Sequence, residues 1–362
     1  MILSRRRWHA SGKRATRLLD TEFGLPSMDR LERPFSVSGP TDLAMAVSPD
    51  GSVFATPDGP AGDRVSLREL RAPGKVRRSF APGIGRIGAI AFAPDGRTLA
   101  LGGDRAHGAP VLVDVASGAV TRPRRGGHDD GFGTLAFDPE GKRILTAGND
   151  ARAIVWDVRT GAQLLELRHP EVNDTAAAWS PDGTMVATAG GGGKVVLWRV
   201  ADGALVRTVA ADREWVQAVA FSPDGARLAA AGSGERFTTL WEVASGRLVG
   251  RLRHPTYVVA VRFDPRGRTL ATAATDGTVR LWDLASQRQL GVALPGPDQW
   301  SVLAFNPGGT DLVAFYGDGT GLVWDVDPES WKQRACTIAG GPLTRDAWEE
   351  LLPGRRYEPA CR

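Results

Sequence analysis

The chain has few cysteines, few lysines and no long apolar run. Only two of its 362 residues are cysteine, Cys336 and Cys361. A pair of cysteines near one end excludes a disulfide scaffold and a zinc module, because both need more cysteines. The two thiols either form one bridge or stay free, as a reducing cytosol favours. No apolar stretch approaches the roughly 18 residues of a membrane-spanning helix, so we expect no membrane contact.

The charge balance is positive but small. Arginine far outnumbers lysine and the formal net charge is +4, which favours solubility over dedicated nucleic-acid binding. The first residues, MILSRRRWHASGKR, are basic, but no apolar core of a secretory signal follows them. We therefore expect a cytoplasmic protein whose residues 1–28 are a basic, disordered leader. The abundance of arginine, alanine and glycine resembles that of a GC-rich bacterial genome.

An internal repeat dominates the remaining sequence. A Pro-x-Gly turn recurs seven times, at spacings of 45, 45, 42, 42, 42 and 42 residues, with prolines 49, 94, 139, 181, 223, 265 and 307. Proline presets the backbone of a tight turn and glycine takes its positive φ. In the clearest copy, Phe263–Leu284, a second turn at Asp276-Gly277 joins two alternating apolar runs, which indicates a hairpin. Four strands in about 42 residues are typical of a propeller blade.

The repeat resembles that of WD-repeat β-propellers over about residues 29–326. The third strand ends in tryptophan in five of seven units, and in Trp-Asp in three of them, the last being Trp324-Asp325. The resemblance implies an all-β fold, a seven-bladed β-propeller with a short helical C-terminal tail at 327–362. That tail resembles the one after WD repeats in large multidomain bacterial signalling proteins. Because no fourth strand follows Trp324-Asp325, we predict that residues 30–38 supply the outer strand of the last blade.

The family joins four residues of a blade by hydrogen bonds: a histidine before the first strand, a serine or threonine on the second, an aspartate in the next turn and the tryptophan. Two units contain all four, namely His128, Thr146, Asp150 and Trp156 in the third and His254, Thr272, Asp276 and Trp282 in the sixth. A hydrolytic triad would need an exposed nucleophile, so we interpret these sets as structural. Arg68 and Val113 replace the tryptophan in blades one and two, which we therefore expect to be the least regular.

The family's commonest partner surface lies at the entrance to the first strand of each blade. Aromatic residues and arginine dominate binding hot spots because they bury a large area and keep a polar group. The candidates there are Arg86, Phe132, Arg213, Trp215, Tyr257 and Trp300. In the alternative interpretation these rings fold inward and cap the central channel.

These features favour a non-catalytic protein-interaction scaffold or sensor of bacterial signalling, expected to be a monomeric propeller with a protein partner. One alternative is binding of an anionic ligand or nucleic acid through Arg77, Arg78, Arg122, Arg124 and Arg125. Another is a metal-dependent propeller hydrolase, although among the inner strands only Arg262 is charged. Gly83–Gly88 and Gly190–Lys194 match fragments of nucleotide-binding loops, but a strand rather than a helix follows each, so we expect no cofactor.

Overall fold

A computed structural model describes residues 32–37, 44–103, 108–122, 126–129, 131–170, 176–297, 300–327 and 330. The leader predicted at 1–28, both cysteines and nearly all of the tail predicted at 327–362 lie outside these residues. The chain divides into two compact units, one of Pro34–Val323 and one made up of Met1–Arg33 and Trp324–Arg362. In the described part, no helix has the length and apolar character needed to cross a membrane.

The described residues form 28 strands. The first fourteen are β1 (Glu32–Ser36), β2 (Ala46–Val47), β3 (Val53–Asp58), β4 (Arg64–Glu69), β5 (Ala72–Phe80), β6 (Ala89–Phe92), β7 (Thr98–Gly102), β8 (Val111–Asp114), β9 (Val120–Thr121), β10 (Phe132–Phe137), β11 (Arg143–Gly148), β12 (Arg152–Asp157), β13 (Gln163–Arg168) and β14 (Ala176–Trp179). The others are β15 (Met185–Ala189), β16 (Lys194–Arg199), β17 (Leu205–Ala210), β18 (Val216–Phe221), β19 (Arg227–Gly232), β20 (Phe237–Glu242), β21 (Leu248–Arg253), β22 (Val258–Phe263), β23 (Thr269–Ala274), β24 (Val279–Asp283), β25 (Arg288–Leu294), β26 (Ser301–Phe305), β27 (Asp311–Tyr316) and β28 (Thr320–Asp325).

These strands form seven four-stranded sheets. Six sheets consist of consecutive strands, from β2–β5 to β22–β25, and each is one blade. The seventh has the order β1-β28-β27-β26, so a strand from early in the chain is its outer strand. Beside it, the Val37 N–H donates to the Gly319 carbonyl at 3.0 Å. First strands of neighbouring blades contact each other around a complete ring that returns from β26 to β2. The predicted all-β, seven-bladed propeller is confirmed.

The seven Pro-x-Gly turns form a second closed ring. Their glycines have φ between 64° and 71°, a left-handed region that glycine adopts without the steric cost that a Cβ brings. Each glycine also faces the proline of the preceding turn, and a Cβ at Gly51 would lie 3.2 Å from Pro307 Cδ. The first and last turns are therefore neighbours. Glycine is required here both for the turn conformation and for the close approach of the next blade.

The hydrophobic core lies between adjacent blades. Between blades four and five, Ala187 and Leu197 share a cluster with Val219 and Leu228. All four are at most 5% exposed. Burying one such valine or leucine contributes about 1.5–3 kcal/mol, so every interface between blades stabilises both of the sheets that form it.

Blades one and two depart most from the pattern. They contain the two-residue strands β2 and β9, the shortest among the described residues. In blade one, buried Arg68 donates from its guanidinium to Asp58 at 2.8 Å. In blade two, Val113 lies in an apolar cluster with Leu101. A partly buried ion pair and an apolar contact thus occupy the places of the tryptophan, and the expected irregularity of these two blades is observed.

Candidate functional site

A continuous hydrogen-bond network crosses blade three. His128 Nδ1 lies 2.9 Å from Asp150 Oδ1, and its Nε2 lies 2.9 Å from Thr146 Oγ1. The Trp156 indole N–H donates to the same hydroxyl at 2.8 Å. Thr146 and Trp156 are at most 1% exposed and His128 is 5% exposed. With no exposed nucleophile, this network supports the blade and is not arranged for hydrolysis.

Protonation in this network is set by burial and by one arginine. Burial lowers the pKa of His128, although the hydrogen bond to Asp150 opposes that effect. Burial alone would raise the pKa of Asp150, but hydrogen bonds from His128 and Arg152 outweigh it and hold that pKa below its usual value. A neutral imidazole therefore donates to a carboxylate from Nδ1 and accepts the Thr146 hydroxyl proton at Nε2.

The network predicted for blade six does not form as a set of four. Trp282 donates to Thr272 at 2.9 Å, but His254 Nε2 lies 3.1 Å from Thr238 Oγ1 of blade five. The Asp276 carboxylate instead accepts the Thr278 N–H and hydroxyl and an Arg280 N–H. Asp276 is thus bonded within its own turn, and His254 bonds to the preceding blade.

Burial leaves His254 chemically distinct from His128. Its Nδ1 has no hydrogen-bond partner in the described part of the chain, and its ring contacts Trp282 edge to face, with centroids 5.0 Å apart. Burial and the charge of Arg280 lower the pKa of His254 to about 3. This histidine is neutral throughout the physiological range.

Threonine on the second strand decides whether the tryptophan N–H has a partner. Thr188 accepts the Trp198 N–H at 2.8 Å in blade four. In blade five the equivalent residue is Ala230, and Trp241 Nε1 is buried without a partner among the described residues. The missing hydroxyl accounts for the orphan donor, because strand register places both tryptophans alike.

Three aromatic residues occupy equivalent places in blades five, six and seven. Trp215, Tyr257 and Trp300 each directly precede the first strand of their blade. Their carbonyls accept N–H groups from the loop after the second strand, those of Ser233, Thr275 and Gly317, at 3.0, 2.9 and 3.1 Å. First strands run from these residues towards the Pro-x-Gly turns, so the three lie on the opposite face of the propeller. We call them the aromatic face.

Two residues of the aromatic face are open to solvent. Tyr257 is 42% exposed and Trp300 50% exposed, whereas Trp215 is half-buried and pairs through its backbone with Gly191. The remaining candidates differ in their exposure. Arg86 and Arg213 are exposed, but Phe132 is 5% exposed and its ring packs on His128 at 5.4 Å between centroids. Phe132 is therefore a core residue and offers no surface to a partner.

Asp212 is a residue whose role the sequence did not reveal. It stands where other blades have histidine, and its carboxylate accepts four backbone N–H groups, from Arg213, Glu214, Gly234 and Glu235, at 2.7, 3.0, 2.9 and 3.2 Å. Arg213 also donates from Nε to Glu235 at 2.8 Å. Asp212 thereby ties together two loops beside Trp215. The only sequence signal was a carboxylate in place of the histidine.

The arginines considered for nucleic-acid binding are engaged within the protein. Arg77 pairs with Glu69 at 3.2 Å, Arg78 bonds the Ala116 carbonyl, and Arg122 bonds the Pro82 carbonyl at 2.6 Å. Arg124 and Arg125 lie outside the described residues. In the described part, no group of three or more His, Cys, Asp or Glu side chains is placed to hold a metal ion.

Comparison with known families gives one match. The family WD40, WD domain, G-beta repeat, matches four segments, residues 122–157, 162–199, 203–242 and 246–283. The segments contain the first three strands of blades three to six and the outer strands of blades three to five, and the motif tryptophan is kept in each of these four blades. A comparison with curated proteins found no match.

Proposed function

We propose that this seven-bladed propeller, which contains four WD40 repeats, is a non-catalytic scaffold or sensor that binds a partner protein through its aromatic face. WD40 propellers are commonly protein-interaction scaffolds. The exposure of Tyr257 and Trp300 at equivalent positions of adjacent blades carries the proposal. Exposed aromatic side chains often contribute most of the binding free energy of an interface when a partner protein buries them.

The backbone beneath these rings is already ordered. Each carbonyl is hydrogen-bonded to the neighbouring loop, so binding costs little backbone entropy and more of the contact energy remains as affinity. The Asp212 cross-link has the same effect on the loop of blade five. We further propose that the setting is bacterial cytoplasmic signalling, which the arginine-rich composition and the likeness of the tail support.

The test uses the full chain as bait. Partners are identified from the source lysate with the wild type, and the recombinant partner is then titrated against a Tyr257→Ala, Trp300→Ala double variant. Two hot-spot aromatics cost at least about 2 kcal/mol together, so affinity should fall about thirtyfold or more.

The matched control truncates exposed apolar residues away from the aromatic face. Leu164 and Leu205 lie on the outer strands β13 and β17 and are each 54% exposed. A Leu164→Ala, Leu205→Ala variant should bind like the wild type. Equal partner binding by wild type and the aromatic double variant would exclude this face as the binding surface.

A further inference from the structure

One inner-strand position differs between blade six and the other blades. Three residues before the turn proline, six blades have alanine, at positions 46, 91, 136, 178, 220 and 304. Blade six has Arg262, near the end of β22. Seven first strands converge here, which explains the small side chains elsewhere. A guanidinium at this point is not required by the fold, since alanine serves in every other blade.

The Arg262 side chain is exposed to solvent on the first, innermost strand of blade six. Its neighbours on the strand, Val261 and Phe263, pack towards blade five against Ala218 and Ala220. Residues alternate across a strand, so Arg262 projects to the other side. Surrounding protein lowers the pKa of its guanidinium by desolvation, yet the residue is exposed to solvent. A side chain beside the ring of first strands, with protein on one side and solvent on the other, has both properties.

The guanidinium has unused hydrogen-bonding capacity. Arg262 donates one N–H to the carbonyl of Val261, at 2.8 Å. Among the described residues, no carboxylate lies within ion-pair distance of Arg262 or of the exposed Arg266 and Arg268 in the adjoining turn. Asp264, the acidic residue of that turn, is buried and accepts backbone N–H groups of Arg266 and Thr269. Blade six therefore presents three cations that other side chains do not neutralise.

The turns of blades one to five carry, after the proline, an acidic residue that the turn of blade six lacks. The residue after the turn proline is an exposed carboxylate in blades one to five: Asp50, Asp95, Glu140, Asp182 and Asp224. In blade six the same position is Arg266. A polyanion such as nucleic acid, lying across the face, would meet these carboxylates within a Debye length of about 8 Å and be repelled. A ligand with one anionic group avoids that repulsion.

We propose that Arg262 is the receptor for a single oxyanion group, a carboxylate or phosphate, that enters the central channel from the turn face beside blade six. Arg266 and Arg268 attract the anion, and the planar fork of Arg262 donates two parallel N–H bonds to its oxygens. The group belongs either to a free small anion or to a peptide that inserts an acidic side chain or its C-terminus. This site is separate from the aromatic face, which lies on the opposite side.

Calorimetric titration with two probes tests the site. The wild type, Arg262→Ala, Arg262→Lys and Arg97→Ala are each titrated at low ionic strength with inorganic phosphate and with an N-acetylated alanine peptide whose only charge is its C-terminal carboxylate. Hydrogen bonds to charged groups contribute about 1.5–3 kcal/mol, so Arg262→Ala should weaken binding about tenfold or more. Arg262→Lys keeps the charge but lacks the planar guanidinium, so its affinity should lie between those of the wild type and Arg262→Ala. Arg97 holds the position of Arg268 in blade two and is the matched control, expected to be unchanged.

Folding does not confound this test, because alanine is the residue that six blades already have at this position; equal melting temperatures would verify that. Tighter binding of the peptide than of phosphate assigns a peptide-borne group, and the reverse assigns a free anion. Binding of neither probe, or equal affinity in wild type and Arg262→Ala, overturns the proposal. If Arg97→Ala loses as much affinity as Arg262→Ala, the proposal is also overturned, because the anion would then be attracted by the general positive charge and not by one site.

Discussion

Replacing Thr146 with valine should destabilise the protein about twice as much as replacing Thr272 with valine. Both hydroxyls are buried and both accept a tryptophan N–H. Only Thr146 also bonds a histidine, at 2.9 Å from His128. Valine keeps the shape of threonine and removes the hydroxyl, so each variant isolates the lost hydrogen bonds.

The magnitudes follow from the number of buried groups left without a partner. Each such group costs about 1–3 kcal/mol. The Thr146 variant strands two of them, His128 and Trp156, and should lose about 2–6 kcal/mol of unfolding free energy. The Thr272 variant strands Trp282 alone and should lose about 1–3 kcal/mol.

Guanidinium unfolding followed by tryptophan fluorescence measures the difference as a shift in midpoint at unchanged slope. Thr208, exposed on β17, provides the control, and its valine variant should stay within about 0.5 kcal/mol of the wild type. Equal losses at Thr146 and Thr272 would refute the reasoning, because the histidine bond would then contribute nothing measurable.

Three further outcomes are expected. His254 has a folded pKa of about 3 and an unfolded pKa near 6.5. Its contribution to the free energy of unfolding is therefore complete above about pH 6.5 and is lost towards about pH 3, by up to about 1.4 kcal/mol per pH unit. Denaturation at several pH values should show that the stability of His254→Gln falls less steeply with decreasing pH. Ala230→Thr should supply Trp241 with an acceptor and raise stability by about 1 kcal/mol, and a lower melting temperature would show that the site has no room. Asp212→Ala should speed amide hydrogen exchange in the loop after Asp212 and weaken partner binding, whereas Asp202→Ala, in an exposed ion pair, should change neither.

Much of the architecture was accessible from the repeat alone. The Pro-x-Gly period predicted seven blades because each turn is closed by local backbone chemistry, and all seven glycines have the positive φ that the turn requires. The loss of the motif tryptophan indicated that blades one and two would differ. It did not indicate how, since an ion pair in one and an apolar cluster in the other depend on residues from different strands.

The candidate site was less accessible. The repeat predicted Tyr257, Trp300 and Phe132 equally as surface residues. Only tertiary packing shows that the first two rings are exposed and that the Phe132 ring is buried against His128. In the sequence Asp212 was only a departure from the histidine of the repeat. Its four backbone partners lie in two loops that are separated in sequence and come together only when the blade folds.

By itself the sequence determined the number of blades, the positions of the turns and the residues able to form a buried network, because these depend on short spacings within one unit. Tertiary structure decided which bonds those residues make. His128 and His254 occupy the same repeat position, yet one bonds its own blade and the other bonds Thr238 of the preceding blade. The physical reason is that a buried imidazole bonds to whichever polar group tertiary packing brings within reach: Thr146 and Asp150 for His128, and the Thr238 hydroxyl of blade five for His254.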